Sequence, residues 1–150
     1  MTSTVAAKAP PPQDTRSNFL LGSLSLGHMA VHWFQQLWPV VIPSIKSSLG
    51  LSDVQLGTLV SVKQFTTGPL MLPAGILADL FRKQTAMLLG GAMLFFGISY
   101  MLVGLSPTYI WLLPTVALLG IGTALWHPAA MATLSRRFPD RRGSALAVHG

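Results

Sequence analysis

Long apolar runs separated by short polar knots dominate this chain. Between residues 18 and 44 there is no Asp, Glu, Lys or Arg. As a helix rising about 1.5 Å per residue, that run reaches about 40 Å. This is enough to cross a hydrocarbon core of about 30 Å with some tilt. Trp33, Trp38, Pro39 and Pro43 crowd its second half, and the two prolines predict a bent end. The segment "SSLGLSD" interrupts the pattern with Gly50 and then Ser52, a good N-cap for a second helix whose first turn holds Asp53.

The second run, 52–79, contains a single charge away from its ends, Lys63. The third, 84–105, has neither charge nor histidine, and its Gly90, Gly97 and Gly104 recur every seven residues. That spacing puts them on one helical face and predicts close packing against a neighbouring helix. "SPT" at 106–108 makes a tight turn. A fourth run at 109–135 carries Pro114 and Pro128, and "RRFPDRR" at 136–142 ends it. "GSALAVHG", 143–150, opens a fifth helix.

The expected fold class is therefore an all-α polytopic membrane protein. Its four transmembrane helices lie at about 18–44, 52–79, 84–105 and 109–135, with the start of a fifth at 143–150. Eight residues cannot cross a bilayer, and lipid offers no donor to their last carbonyls. The chain is expected to continue into a longer protein. Residues 1–17, with Pro10, Pro11 and Pro12, read as a disordered tail. They are not a signal peptide, because the apolar run behind them is too long and further spans follow.

Composition strengthens this picture. The 150 residues are 51% hydrophobic and 9% charged, against about 25% charged in a soluble domain. Such a chain cannot cover a soluble globule. There is no cysteine, which excludes a disulfide framework and any thiolate metal site. The net charge of +6 does not point to nucleic acid, because the basic residues flank apolar runs and form no patch on a polar face. They orient the chain instead. Lys8 and Arg16 precede the first run, Lys46 follows it, Arg82 and Lys83 follow the second, and Arg136, Arg137, Arg141 and Arg142 follow the fourth. By the positive-inside rule the tail and the second and fourth connections face the cytoplasm of a plasma (inner) membrane.

Polar groups at mid-depth are the candidates for chemistry. Lys63 lies about 16 Å along its helix from Ser52, near the middle of the bilayer core. A lysine there costs roughly 2.5 kcal/mol or more unless it faces a wet cavity or a partner. It either anchors an anionic substrate or a carboxylate from elsewhere in the protein, or snorkels to the interface. His28 lies about 15 Å from the inner face and His127 about 13 Å. His28 and His32 stand one turn apart on a shared face. They either bind substrate and relay protons or make interhelical hydrogen bonds. Two imidazoles without a third ligand make a poor metal site, so no metal and no cofactor is expected. His127, before Pro128, either binds substrate or donates to a carbonyl that the proline leaves free. Trp33, Gln35, Gln36, Gln64 and Trp126 are further lining candidates, with interface belt or packing as the alternative. No acidic residue lies within a run, which favours an anionic or neutral solute over a cation.

The stretch "GILADLFRK", residues 75–83, carries a family resemblance. It resembles the loop signature of the major facilitator superfamily, roughly G-x-L-A-D-R-x-G-R-K. Gly75, Leu77, Ala78 and Asp79 match, while Leu80 and Arg82 stand where the family has Arg and Gly. "LLGIGTALWHPAAM" and "FPDRRGSALA" resemble the family's fourth helix, loop and fifth helix, without the arginine of many proton-coupled members; Pro114 and Thr115 lie near its place. "GHMAVHWFQQLWPVVIP" resembles the first helix of the fosmidomycin-resistance-type branch, with His32 where that branch often has an acid.

The resemblance implies a twelve-helix transporter of two six-helix halves, of which this chain holds the N-terminal portion. It implies that helices one, two, four and five line the cavity. It also implies a gating role for Asp79, against basic groups and a helix N-terminus of the opposite half, with Arg82 and Lys83 beside it. Function then reads as secondary active transport of a small solute by alternating access, with lipid and the C-terminal half as partners and the proton as a candidate coupling ion. A non-transporting membrane sensor or interaction protein is the alternative. A membrane-embedded enzyme is disfavoured, since no HExxH, no cysteine and no acid within a run is present.

Overall fold

The computed structural model describes residues 15–149, and all regular structure there is helical. The helices are α1 (Thr15–Leu49), α2 (Asp53–Leu80), α3 (Thr85–Gly104), α4 (Tyr109–Arg137) and α5 (Arg142–His149), with a short 3-10 turn at Pro139–Arg141 before α5. The expected tail lies outside the described residues as far as residue 14. Thr15, Arg16 and Ser17 open α1 instead of belonging to it.

Helix α1 also runs five residues past its expected end at residue 44, through Pro39 and Pro43. It stops at Gly50, whose φ of 63° only glycine adopts without strain. The Leu51 N–H then reaches back to the Lys46 carbonyl at 3.0 Å, the six-to-one bond of a Schellman ending. Helix α2 begins at once. Ser52 Oγ accepts from the Gln55 N–H and Gln55 Oε1 accepts from the Ser52 N–H, a complete capping box. Lys46 Nζ donates to Asp53 at 2.5 Å across the turn.

Helix α4 is the hub, packing against α1, α2, α3 and α5. Two apolar clusters surround it. One, around Trp126, Ala130 and Leu134, takes in Val31 of α1, Ala78 of α2 and Phe96 of α3. The other, around Leu112, Val116 and Leu119, takes in Trp38 and Leu59. Close approach depends on small residues of α4. A Cβ at Gly122 would stand 3.3 Å from the Phe96 ring, and one at Gly120 would stand 2.6 Å from the Lys63 carbonyl oxygen.

The glycines of α3 behave differently from their spacing. A Cβ at Gly90, Gly97 or Gly104 would meet nothing within 4 Å. Helix α3 packs through Leu89, Ala92, Phe96, Ser99 and Val103, the stripe beside the glycines. The contact with α4 pairs a large ring on α3 with a glycine on α4, so the small residue sits on the other helix. Hydropathy also divides the bundle. Among the described residues α3 and α4 are long and apolar enough to cross a membrane by length and composition alone. The polar positions of α1 (His28, His32, Gln35, Gln36) and α2 (Lys63, Gln64, Thr66, Thr67) keep those two helices below that level.

Candidate functional site

The chain holds four histidines, and all four meet at one place. His28 and His32 come from α1, His127 from α4 and His149 from α5. The His28 ring lies 4.4 Å from that of His32 and 5.4 Å from that of His127 by centroid, and it stacks on His149 at 4.2 Å. His32 and His127 are 6.0 Å apart. His28 and His127 are half-buried, His149 is buried and His32 is exposed.

Hydrogen bonding sets the tautomers, because a carbonyl oxygen can only accept. His28 Nδ1 lies 2.5 Å from the His149 carbonyl oxygen and therefore carries the proton. His127 Nδ1 donates in the same way to the Thr123 carbonyl at 3.1 Å. Its partner is thus an ordinary helical carbonyl, not the Ala124 carbonyl whose helical donor Pro128 lacks. In neutral imidazoles both Nε2 atoms are then left with a lone pair. His32 Nε2 sits 2.8 Å from His28 Nε2, so in the neutral pair it is the His32 nitrogen that donates.

The other candidates separate into groups. Lys63 is half-buried on α2, and its backbone faces Gly120. Gly120 lies seven residues before His127, about 10 Å along α4. Lys63 and the histidines therefore do not share one level at the backbone, although counting along each run put them at similar depth. Thr67 Oγ1 bridges the same contact, reaching the Lys63 carbonyl at 2.9 Å and the Gly120 carbonyl at 3.2 Å. Among the described residues the Lys63 ammonium has no carboxylate within ion-pair distance. Gln64 is exposed, and so is Trp33 at 72%. Gln36 is exposed and Gln35 half-buried.

Trp126 is a packing residue. It is 4% exposed, and its ring lies over Gly27, where a Cβ would come within 2.4 Å. The signature loop forms a second polar centre. Asp79, in the last turn of α2, accepts from Arg136 Nη1 at 3.1 Å. Its partner thus belongs to this same bundle, on the C-terminal turn of α4. Arg82 and Lys83, exposed in the turn after α2, share a recess of about 320 Å³ with Arg136 and Arg137. Gly75 stands near Pro128 at ordinary contact distance.

Sequence reasoning missed His149. The only signal available was the count, four histidines in a chain whose apolar runs tolerate few polar groups.

Comparison with known proteins adds a family to this geometry. The model of the Major Facilitator Superfamily matches residues 24–150. A puromycin resistance protein of Streptomyces alboniger is 32% identical over 113 residues, covering 74% of this chain and 22% of that protein. The oxalate:formate antiporter of Oxalobacter formigenes is 30% identical over 111 residues, covering 74% and 26%. The fosmidomycin resistance protein of Escherichia coli is 24% identical over 145 residues, covering 96% and 35%. The chain thus spans about a fifth to a third of the length of these relatives. No solved structure matches it.

Proposed function

The chain belongs to the major facilitator superfamily, and from that premise we propose that it contributes to secondary active transport of a small organic anion by alternating access. It is a multi-pass membrane protein of a transporter family, not an enzyme. The observation that carries the proposal is Lys63. It is half-buried on an apolar helix, and no carboxylate among the described residues neutralises it. A cation in that setting is stabilised by a negative group supplied from outside the bundle. A solute carboxylate meets that need, and a relative named as an oxalate:formate antiporter handles such solutes. The three described acids, Asp53, Asp79 and Asp140, stand at helix ends or in the turn before α5, so the bundle interior offers no counterpart for a cationic solute.

The membrane orientation belongs to the same reading. Arg82, Lys83, Arg136 and Arg137 gather at one end of the bundle, while Lys46 lies at the opposite end of α1 from Thr15. That asymmetry supports a cytoplasmic position for the basic end, with the N-terminus on the same side, in a plasma (inner) membrane. Asp79 is held there by a charge contact inside its own bundle, at the end of the bundle where alternating access brings the opposite half up or away.

The test is transport by the protein in proteoliposomes, with radiolabelled oxalate, formate and larger carboxylates, with and without an imposed pH gradient. We expect saturable flux of at least one anion and loss of that flux in Lys63→Ala. Equal flux in the variant for every transported anion would overturn the assignment of Lys63. Dependence on the pH gradient reads directly whether a proton is the coupling ion.

A further inference from the structure

We infer that His28, His32 and His127 form a binding site for a divalent transition-metal ion of the zinc class. Sequence alone argued against a metal, because His28 and His32 were a pair without a third ligand. The fold supplies the third from a helix about a hundred residues away. One ligand nitrogen from each of the three lies within 4.8 Å of the other two. Four-coordinate zinc holds imidazole nitrogens at about 2.0–2.1 Å, which sets them about 3.3 Å from one another. His28 Nε2 and His32 Nε2 stand 2.8 Å apart, and the His127 ligand nitrogen lies within 4.8 Å of its two partners, so small ring movements bring the three to that spacing.

The surroundings are those of a ligand set. Histidines at i and i+4 on a helix reach one ion together, the spacing used by helical zinc motifs. The second ring nitrogens of two of the three are tied to backbone carbonyls, His28 to His149 and His127 to Thr123. This arrangement fixes the tautomer with the Nε2 lone pair free, and it is the outer-shell support that metal-ligating histidines use. His32 alone carries its proton on Nε2 in the neutral cluster; it binds metal by shifting that proton to Nδ1, with no change in net charge. His149 covers the far face of His28 by stacking, while the exposed side of His32 leaves a way in. Three neutral imidazoles and an open fourth position suit zinc, cobalt, nickel or copper and reject magnesium and calcium, which require oxygen donors. The fourth position takes water or a small anion.

The inference is independent of the transport reading, and its measurement involves no flux. Tag-free protein, stripped with chelator and purified in detergent, is titrated with Zn2+ by calorimetry and with Co2+ by visible absorption. We expect one saturable Zn2+ per chain and the intense d–d bands of four-coordinate Co2+. In His32→Gln and His127→Gln the affinity falls by at least about tenfold. His32 is exposed, so its substitution leaves packing intact, and circular dichroism verifies the fold of each variant. Absence of saturable Zn2+ binding by folded wild-type protein overturns the inference. Unchanged affinity in folded His32→Gln overturns it as well. A protein that binds Zn2+ but moves no anion leaves this site standing and removes only the transport proposal.

Discussion

Gly120 of α4 meets the backbone of Lys63 so closely that a Cβ on Gly120 would stand 2.6 Å from the Lys63 carbonyl oxygen and 2.8 Å from Thr66 Cβ. The obstacle is main chain, which cannot rotate away. Gly120→Ala therefore has to push α2 off α4, and overpacking of this kind costs about 1–3 kcal/mol. Thermal unfolding in detergent should show a lowered midpoint. Gly97→Ala, with open space around it, should leave the midpoint unchanged or raise it, because alanine is the better helix former by about 1 kcal/mol. Equal effects at the two positions would contradict the packing described.

Gly27 and Trp126 form a second close contact, of another kind. A Cβ on Gly27 would lie 2.4 Å from the far edge of the indole. Here the obstacle is a side chain, so the strain can be relieved by changing it. Gly27→Ala should destabilise the bundle, and Trp126→Leu in the same molecule should recover part of the loss. A double-mutant cycle read by unfolding midpoints should return a coupling of about 0.5–3 kcal/mol. Strict additivity would mean that the two residues do not touch.

Lys63 is half-buried without a carboxylate partner. Replacing it with Met keeps the stem and removes the charge. Stability of Lys63→Met should stay level or rise, since an uncompensated charge disappears, while anion flux should fall at least about tenfold. A drop in both would point to a structural role and remove the lysine from the solute site.

The Asp79–Arg136 pair, 3.1 Å long, has side chains 76% and 36% exposed. Pairs of that exposure contribute less than about 1 kcal/mol and weaken with salt. Asp79→Asn should therefore barely move the unfolding midpoint. If the pair matters to alternating access, the same variant should change flux, and the exchange Asp79→Arg with Arg136→Asp should restore part of it. Unchanged flux in both variants would leave the pair as surface decoration.

Tyr100 of α3 donates its hydroxyl to the Phe34 carbonyl of α1, and its ring stacks on Phe34, which also stacks on Phe96. Tyr100→Phe keeps the stacking and removes the donor. The expected loss is about 1 kcal/mol, measurable as a lowered midpoint of similar size at any salt concentration.

Much of the molecule was legible along the chain because its causes are local. Gly50 ends α1 through its own backbone freedom, and Ser52 starts α2 through a side chain three residues from its partner. The run from Tyr109 reads as helix because lipid allows little else to an apolar stretch. The resemblance at residues 75–83 was equally readable, and the family match agrees with it.

Helix rotation was not legible. A helix in lipid is apolar nearly all round, so periodicity does not say which face meets a neighbour. Gly90, Gly97 and Gly104 form a regular stripe, yet α3 packs through Phe96 and its neighbours. Trp126 reads as cavity lining or as packing, and the fold buries it because Gly27 makes room for its ring. Asp79 finds its basic partner 57 residues away on α4.

By itself the sequence determined the helical class, the punctuation between helices, the basic end and the family, since each follows from hydropathy, capping or motif within a few residues. Only the tertiary structure decided which polar groups meet. His28 and His149 touch across 121 residues because α1, α4 and α5 dock at particular rotations. The fit of the Trp126 ring over Gly27 fixes how α1 meets α4, while Gly120 and Gly122 set α4 against α2 and α3; these are contacts between distant segments that no local pattern encodes.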